Sequence, residues 1–163
     1  MITSINEFKH IMESLTHSDY LKWKRKNVTY RGMNDNTQEN GGSAILGKGL
    51  YTAALSNKAM AKQYGEVYFV INAVPKNPKM FNSLNEWEIW FYNTLVKNFS
   101  DGKFPDKRKF MEQTTIENEM MKLGYDGIII KGRELVNYKP ENVQYFKNEI
   151  GLQDYYYNIL QMK

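Results

Sequence analysis

The chain reads as an α+β domain built on antiparallel strands. A strand, a helix and a second strand follow one another early, between Leu50 and Ala73; helical patterns fill the middle; and three short β-rich segments close the core with only turns between them. With 163 residues, 42% of them hydrophobic, the length fits one domain able to bury roughly two thirds of its unfolded surface.

In chain order, Ile5, Phe8, Ile11, Met12 and Leu15 recur at helical spacing after Ser4, with Glu7 three residues on. A capped helix is predicted over residues 4–15, within an N-terminal helical region 1–27 that braces a core over 28–146. The segment 27–32 reads as a strand ending at Gly32, and 34–43, rich in Asn, Asp and Gly, as a mobile loop over a ligand. Leu50 to Ala53 reads as a strand. Ser56 is the expected cap of a helix to Gln63, stopped by Gly65, and Glu66 to Ala73 is an apolar strand closed by Pro75. Trp87, Trp90, Phe91 and Leu95 predict an amphipathic helix over 85–98, its aromatic face either core or a protein-binding surface; a turn-rich stretch follows over 100–106. A helix over 114–123 stops at Gly124, and strands follow over 127–130, 134–138 and 143–146.

Composition narrows the chemistry. There is no cysteine, and the two histidines, His10 and His17, lie together near the start, which argues against thiolate zinc sites, cysteine nucleophiles and Ser-His-Asp catalysis. Asn6, Glu7 and Lys9 stand where a secretory segment would be apolar, and nowhere do eighteen apolar residues follow one another. A soluble protein acting in the cytoplasm, away from membranes, is expected. The net charge of +4 is concentrated in lysines at 22–26 and 103–109 and favours an acidic partner. For the first cluster, with Trp23 inside it, a solvated face and a phosphate-contacting surface both stay open.

Three segments carry the functional signal: Gly47-Lys48-Gly49-Leu50-Tyr51-Thr52-Ala53 with Ser56, Lys58, Ala59 and Tyr64-Gly65 behind it; Tyr30-Arg31-Gly32; and Glu134 opening Leu135-Val136-Asn137-Tyr138. The first resembles the Gly-Lys-Gly-Ile-Tyr segment of poly(ADP-ribose) polymerases and of short phage-type relatives. The second is similar to the Tyr-Arg-Gly strand of toxin-like ADP-ribosyltransferases. Gly124-Tyr125-Asp126-Gly127-Ile128-Ile129 ahead of Glu134 is similar to the closing block of the phage-type relatives. The likeness to the ADP-ribosyltransferase superfamily covers roughly residues 28–146. It implies a split antiparallel β-sandwich with NAD, a substrate here, in the cleft between its sheets, and no required metal.

The chemistry is consistent with that likeness. Breaking the nicotinamide–ribose bond passes through an oxocarbenium-like state, which a carboxylate stabilises as charge develops. Glu134 is the candidate; by resemblance it bonds the ribose 2′-hydroxyl and orients or deprotonates the acceptor, its other reading being a charged residue at an exposed strand start, and Glu141 is the less favoured alternative. Nicotinamide is a flat aromatic amide, for which Tyr51 and Tyr64 offer stacking faces, with ordinary core packing the other reading of both rings. By resemblance, Gly32 offers a backbone donor and acceptor. Arg31 suits the cofactor's ribose or pyrophosphate, and equally a structural bridge across the sheet. Thr52 is placed to support Glu134 or to be a plain strand residue. Tyr30, Lys48, Gly49 and Ser56 complete the expected NAD-contacting set.

Departures shape the activity. Gly132 stands two residues before Glu134, where arginine-modifying transferases carry an acidic or amide residue, and Arg31 replaces the histidine of chain-elongating polymerases. The expectation is a single transfer to a macromolecule, nucleic acid slightly ahead of a protein side chain. NAD hydrolysis and a catalytically inactive relative that binds NAD or a partner remain as alternatives. A phage or toxin setting further implies an antitoxin or inhibitor partner.

Overall fold

A computed structural model describes residues 17–33, 45–100, 102 and 104–160. The helix expected over 4–15 and the loop over 34–43 lie outside the described residues. Residues 17–27 are helical (α1) and run straight into β1 (Val28–Met33). Then follow β2 (Leu50–Ala53), α2 (Lys58–Lys62), β3 (Glu66–Ile71), β4 (Pro78–Phe81), α3 (Leu84–Trp90), α4 (Lys107–Gln113), α5 (Ile116–Lys122), β5 (Gly127–Ile130), β6 (Glu134–Asn137), β7 (Gln144–Phe146) and α6 (Glu149–Tyr155). The class is α+β. The strands form one sheet in the order β4-β5-β6-β2-β1-β3-β7.

The expected sandwich of two antiparallel sheets differs from this arrangement twice: all seven strands lie in one sheet, and pairing is not antiparallel throughout, since β4 runs parallel to β5. Residues 72–77 carry the chain from β3 to the far edge of the sheet, and β4 is joined to β5 through α3, α4 and α5. Such a long helical connection is what a parallel pair requires.

Three apolar clusters pack on the sheet, the smallest formed by Leu50, Val70 and Ala73. Over the β4-β5-β6-β2 half, Phe81, Ile128, Ile130 and Val136 meet Trp87, Phe91, Leu95, Val96, Phe110 and Met120 from the helices. Over the β1-β3-β7 half, Val28 and Ile71 meet Tyr20 of α1 and Leu152 and Tyr156 beyond. The aromatic stretch around Trp87 is therefore core, although Ile89 and Tyr92 stay exposed. The single helix expected over 85–98 is instead α3, a π-helical turn over Phe91–Leu95 and a 3-10 turn over Val96–Phe99. In an unbroken α-helix Val96 would sit about 180° around the axis from Trp87. The wide turn delays the rotation so that both are buried.

Elements absent from the sequence reading also hold the fold. Asp106 caps α4 by accepting from Arg108 and Lys109, and Asn148 caps α6 by accepting from Gly151. Helix α6 ties back to α1 through Glu149, which accepts from Tyr20 Oη and sits 2.8 Å from Lys24 Nζ. The basic cluster at 22–26 is thus divided, with Lys24 paired inward, Trp23 half-buried, and Lys22, Arg25 and Lys26 exposed. Desolvation pushes the Glu149 carboxyl up, but the Lys24 and Tyr20 contacts outweigh it and hold the group below the ordinary glutamate range. A depressed carboxyl stabilises the fold above its unfolded pKa and loses that contribution as pH falls through the folded value. Glu149→Gln is therefore expected to cost about 1 kcal/mol at neutral pH, its 40% exposed side chain being screened. Urea melts should show the wild-type advantage vanishing as pH drops below the normal glutamate range.

Candidate functional site

The joint between β1 and β2 differs from every other in the sheet. Strand β1 pairs with β3 through six residues, Val28 to Met33, and β2 pairs with β6 through four. Between β1 and β2 the register holds at Tyr30↔Ala53 alone. Past that point Arg31-Gly32-Met33 and Leu50-Tyr51-Thr52 are no longer paired as ladder partners. The two halves of the sheet meet there through its shortest ladder, the hinge of the fold.

Arg31 spans the divergence. Its guanidinium is buried, and Nη1 donates to the Tyr51 carbonyl at 2.7 Å, a charge-assisted bond where ladder bonds have stopped. Of the two roles expected for Arg31, the bridging one is the role it performs in this structure. Thr52 is also buried, and its register partner is Leu135, whereas Glu134 partners Ala53. Side chains alternate along a strand, so Thr52 and Glu134 face opposite sides of the sheet. The expected support of Glu134 by the Thr52 hydroxyl is not made, and Thr52 Oγ1 has no hydrogen-bond partner among the described residues.

The same alternation brings other residues together. Tyr30, Ala53 and Glu134 form one row across three strands on one face, about 10 Å from end to end. Tyr51 pairs with Val136 and so shares that face, with Glu134 as its diagonal neighbour about 7–8 Å away. The Glu134 side chain is 14% exposed and accepts from Arg133 Nε at 3.4 Å.

The Gly47-Lys48-Gly49 turn is pinned from three sides. Tyr51 Oη donates to the Gly47 carbonyl and accepts from Leu46 N at 3.0 Å, Tyr138 Oη donates to the Leu46 carbonyl at 2.5 Å, and Lys48 N donates to Glu117 Oε2 at 3.0 Å. Burial raises the Tyr51 and Tyr138 phenols well above their usual range, so both hydroxyls stay protonated as donors. Gly47 has a φ of +97°, and a Cβ on Gly49 would lie 2.6 Å from the Asn137 carbonyl. The motif is a turn fastened to β6 and α5, with the Lys48 residue exposed. Glu117 and Tyr138 were not singled out from sequence; nothing local marks them, since they act only through chain-distant contacts.

Helix α2 closes the other side. Its cap is Asn57, whose side chain accepts from Met60 N, while the expected cap Ser56 is exposed. Both are good capping types, and the one that precedes the first helical residue takes the role. The helix lies against Gly32 so closely that an added Cβ would come 1.7 Å from the Ala61 carbonyl and 3.2 Å from Tyr64 Cβ. Tyr64, 47% exposed, therefore stands beside Gly32 at the opening of the hinge, while Tyr51 is half-buried, its hydroxyl tied inward and its ring packed against the cluster over the β4-β5-β6-β2 half, the core role that is its other reading. Lys58 Nζ lies 5.8 Å from the centre of the Tyr30 ring.

Elsewhere, a cavity of about 440 Å³ is lined by Asn27, Asn72, Lys76, Asp126, Asn137 and Asn142 among others, and includes neither Tyr51 nor Glu134. Glu141 borders it, paired with Lys76 at 3.7 Å and distant in the chain from the hinge residues. No described helix is long and apolar enough to cross a membrane. No family model, curated protein or solved structure matches the chain.

Proposed function

We propose that this protein is a mono-ADP-ribosyltransferase that cleaves NAD and passes ADP-ribose to a macromolecular acceptor, and that the hinge between β1 and β2 is the split of an ADP-ribosyltransferase-like sheet. The observation that carries the reading is the shared face of Tyr30, Tyr51 and Glu134 where the β1–β2 ladder ends, with Gly32 and Tyr64 beside it. Nicotinamide stacks on Tyr64 against the Gly32 backbone, with Tyr51 as the inner wall. Glu134 bonds the adjoining ribose. The C1′–nitrogen bond breaks with its electron pair going to nicotinamide, the acceptor's lone pair closes on C1′, and the acceptor proton leaves by way of the Glu134 carboxylate. Arg31 holds the two strands at the spacing the ring needs. Lys48, Gly49 and Ser56 act through the turn and the loop before α2.

The purified protein incubated with NAD and a cell lysate should release nicotinamide and label a macromolecule. Free ADP-ribose with no labelled macromolecule would assign NAD hydrolysis instead, and no nicotinamide at all would remove both enzymatic readings. Tyr64→Ala is expected to raise the KM for NAD about tenfold, because a stacked ring contributes about 1–3 kcal/mol. Tyr64→Phe, which keeps the face, should stay near wild type; equal loss in both variants would show that stacking is not its role.

A further inference from the structure

The surroundings of Glu134 bear on what the transfer acts upon, an inference that rests on the transferase reading above. The turn before Glu134 is tight: Arg133 N donates to the Ile130 carbonyl at 3.1 Å, Gly132 takes a φ of +68°, and Lys131 N donates to the Phe81 carbonyl at 3.0 Å. Lys131 and Arg133 are both exposed at its tip. The turn is fastened to the start of α2, since Ala54 N donates to the Arg133 carbonyl at 3.1 Å and Asn57 Nδ2 to the Gly132 carbonyl at 3.3 Å. That brings exposed Lys58 to the same rim, over the Tyr30 ring. Three cations thus line the rim, Arg133 beside Glu134, Lys131 on the same turn and Lys58 over Tyr30, and neither lysine forms an ion pair among the described residues.

Tyr30 supplies the second half of the argument. It is half-buried and belongs to none of the three apolar clusters, its ring neighbour being Phe69 at 5.3 Å. It lies in the same row as Glu134, two strands away. An acidic peptide would need the cations but not an aromatic face in the same row as the carboxylate; a polynucleotide uses both, phosphates on the cations and a base on the ring. A base still paired within a duplex keeps its reacting edge inside the stack, out of reach of a carboxylate whose side chain is only 14% exposed.

We propose that the acceptor is single-stranded nucleic acid, with its phosphates on Lys58, Lys131 and Arg133, one base stacked on Tyr30 and a neighbouring nucleotide, about 10 Å along the same row, at Glu134. Fluorescence anisotropy without NAD, using a labelled mixed-sequence 20-nucleotide DNA and the matching RNA, tests the binding directly. Both single strands should bind more tightly than the duplex, and which of them becomes labelled with NAD present identifies the source. The Lys58→Glu/Lys131→Glu variant is expected to lose affinity at least about tenfold and to flatten the plot of log affinity against log salt by about 1.4, two contacts' worth. Tyr30→Leu, which retains the Phe69 contact, should lose about tenfold with an unchanged salt slope. Thermal melts of each variant separate loss of contact from loss of fold. Wild-type protein that releases nicotinamide but binds no oligonucleotide, binds duplex equally well, or labels only protein would overturn the acceptor and leave the NAD reading standing. Oligonucleotide binding without nicotinamide release would overturn the transfer itself.

Discussion

Glu134→Gln should reduce nicotinamide release by about 10³-fold while leaving the fold and the affinity for NAD nearly unchanged, because the charge it removes acts chiefly on a transition state. The substitution is nearly isosteric, and the amide oxygen can still accept from Arg133, which sits 3.4 Å from Oε1. The side chain is mostly enclosed, so its charge is screened less than that of a surface glutamate. The sheet itself needs only the backbone of Glu134, paired with Ala53 on one side and Ile130 on the other. Chromatographic assay of nicotinamide at saturating NAD, with a melt on the same sample, makes the measurement. Glu141→Gln is the matched control: that carboxylate is 69% exposed and faces Lys76, and its loss should leave the rate alone. A Glu134 variant retaining more than about a tenth of the wild-type rate would rule this carboxylate out as the group that stabilises the cation.

The parts of the fold that were legible in the sequence are those whose signals are local. Ile128, Ile129 and Ile130, and Leu135 with Val136, are β-formers bounded by Gly127 and the Gly132 turn, and both strands stand where expected. Strand β4 was not legible: Pro78-Lys79-Met80-Phe81 has no clear alternation, and its extended form depends on pairing with β5. Helices α4 and α6 were missed because Asp106 and Asn148 are as much turn residues as caps until the following turn of helix is seen.

The site shows the same division. Period-two alternation in each strand was readable, but the register that sets Ala53 against Glu134, and so puts Tyr51 and Glu134 on one face and Thr52 on the other, is a tertiary fact. Tyr64 was the weaker of the two stacking candidates by spacing, and it is the half-exposed ring beside Gly32; Tyr51 spends its hydroxyl on holding a turn.

Gly32→Ala is expected to produce the largest loss of stability of any methyl addition at the hinge. The new carbon would lie 1.7 Å from the Ala61 carbonyl oxygen and 2.8 Å from its carbon, and both neighbours are backbone that cannot rotate away. Strand β1 cannot retreat, because six register pairs hold it to β3. Helix α2 must lift instead, weakening its contact with the strand. Overpacking of this kind costs about 3 kcal/mol or more, which for a domain of this size lowers the melting temperature by about 6–12 °C. Gly127→Ala separates stability from function. Its Cβ would meet the Val136 carbonyl at 2.2 Å and Pro75 at 2.7 Å, a comparable clash on the far side of the sheet. Both variants should melt early, but at a temperature where each is folded only Gly32→Ala should raise the KM for NAD, since lifting α2 carries Tyr64 out of line with the strand. A Gly32 variant that melts within about 2 °C of wild type would mean that α2 moves freely. Parallel KM changes in the two variants would mean that Tyr64 and Gly32 do not form the nicotinamide wall.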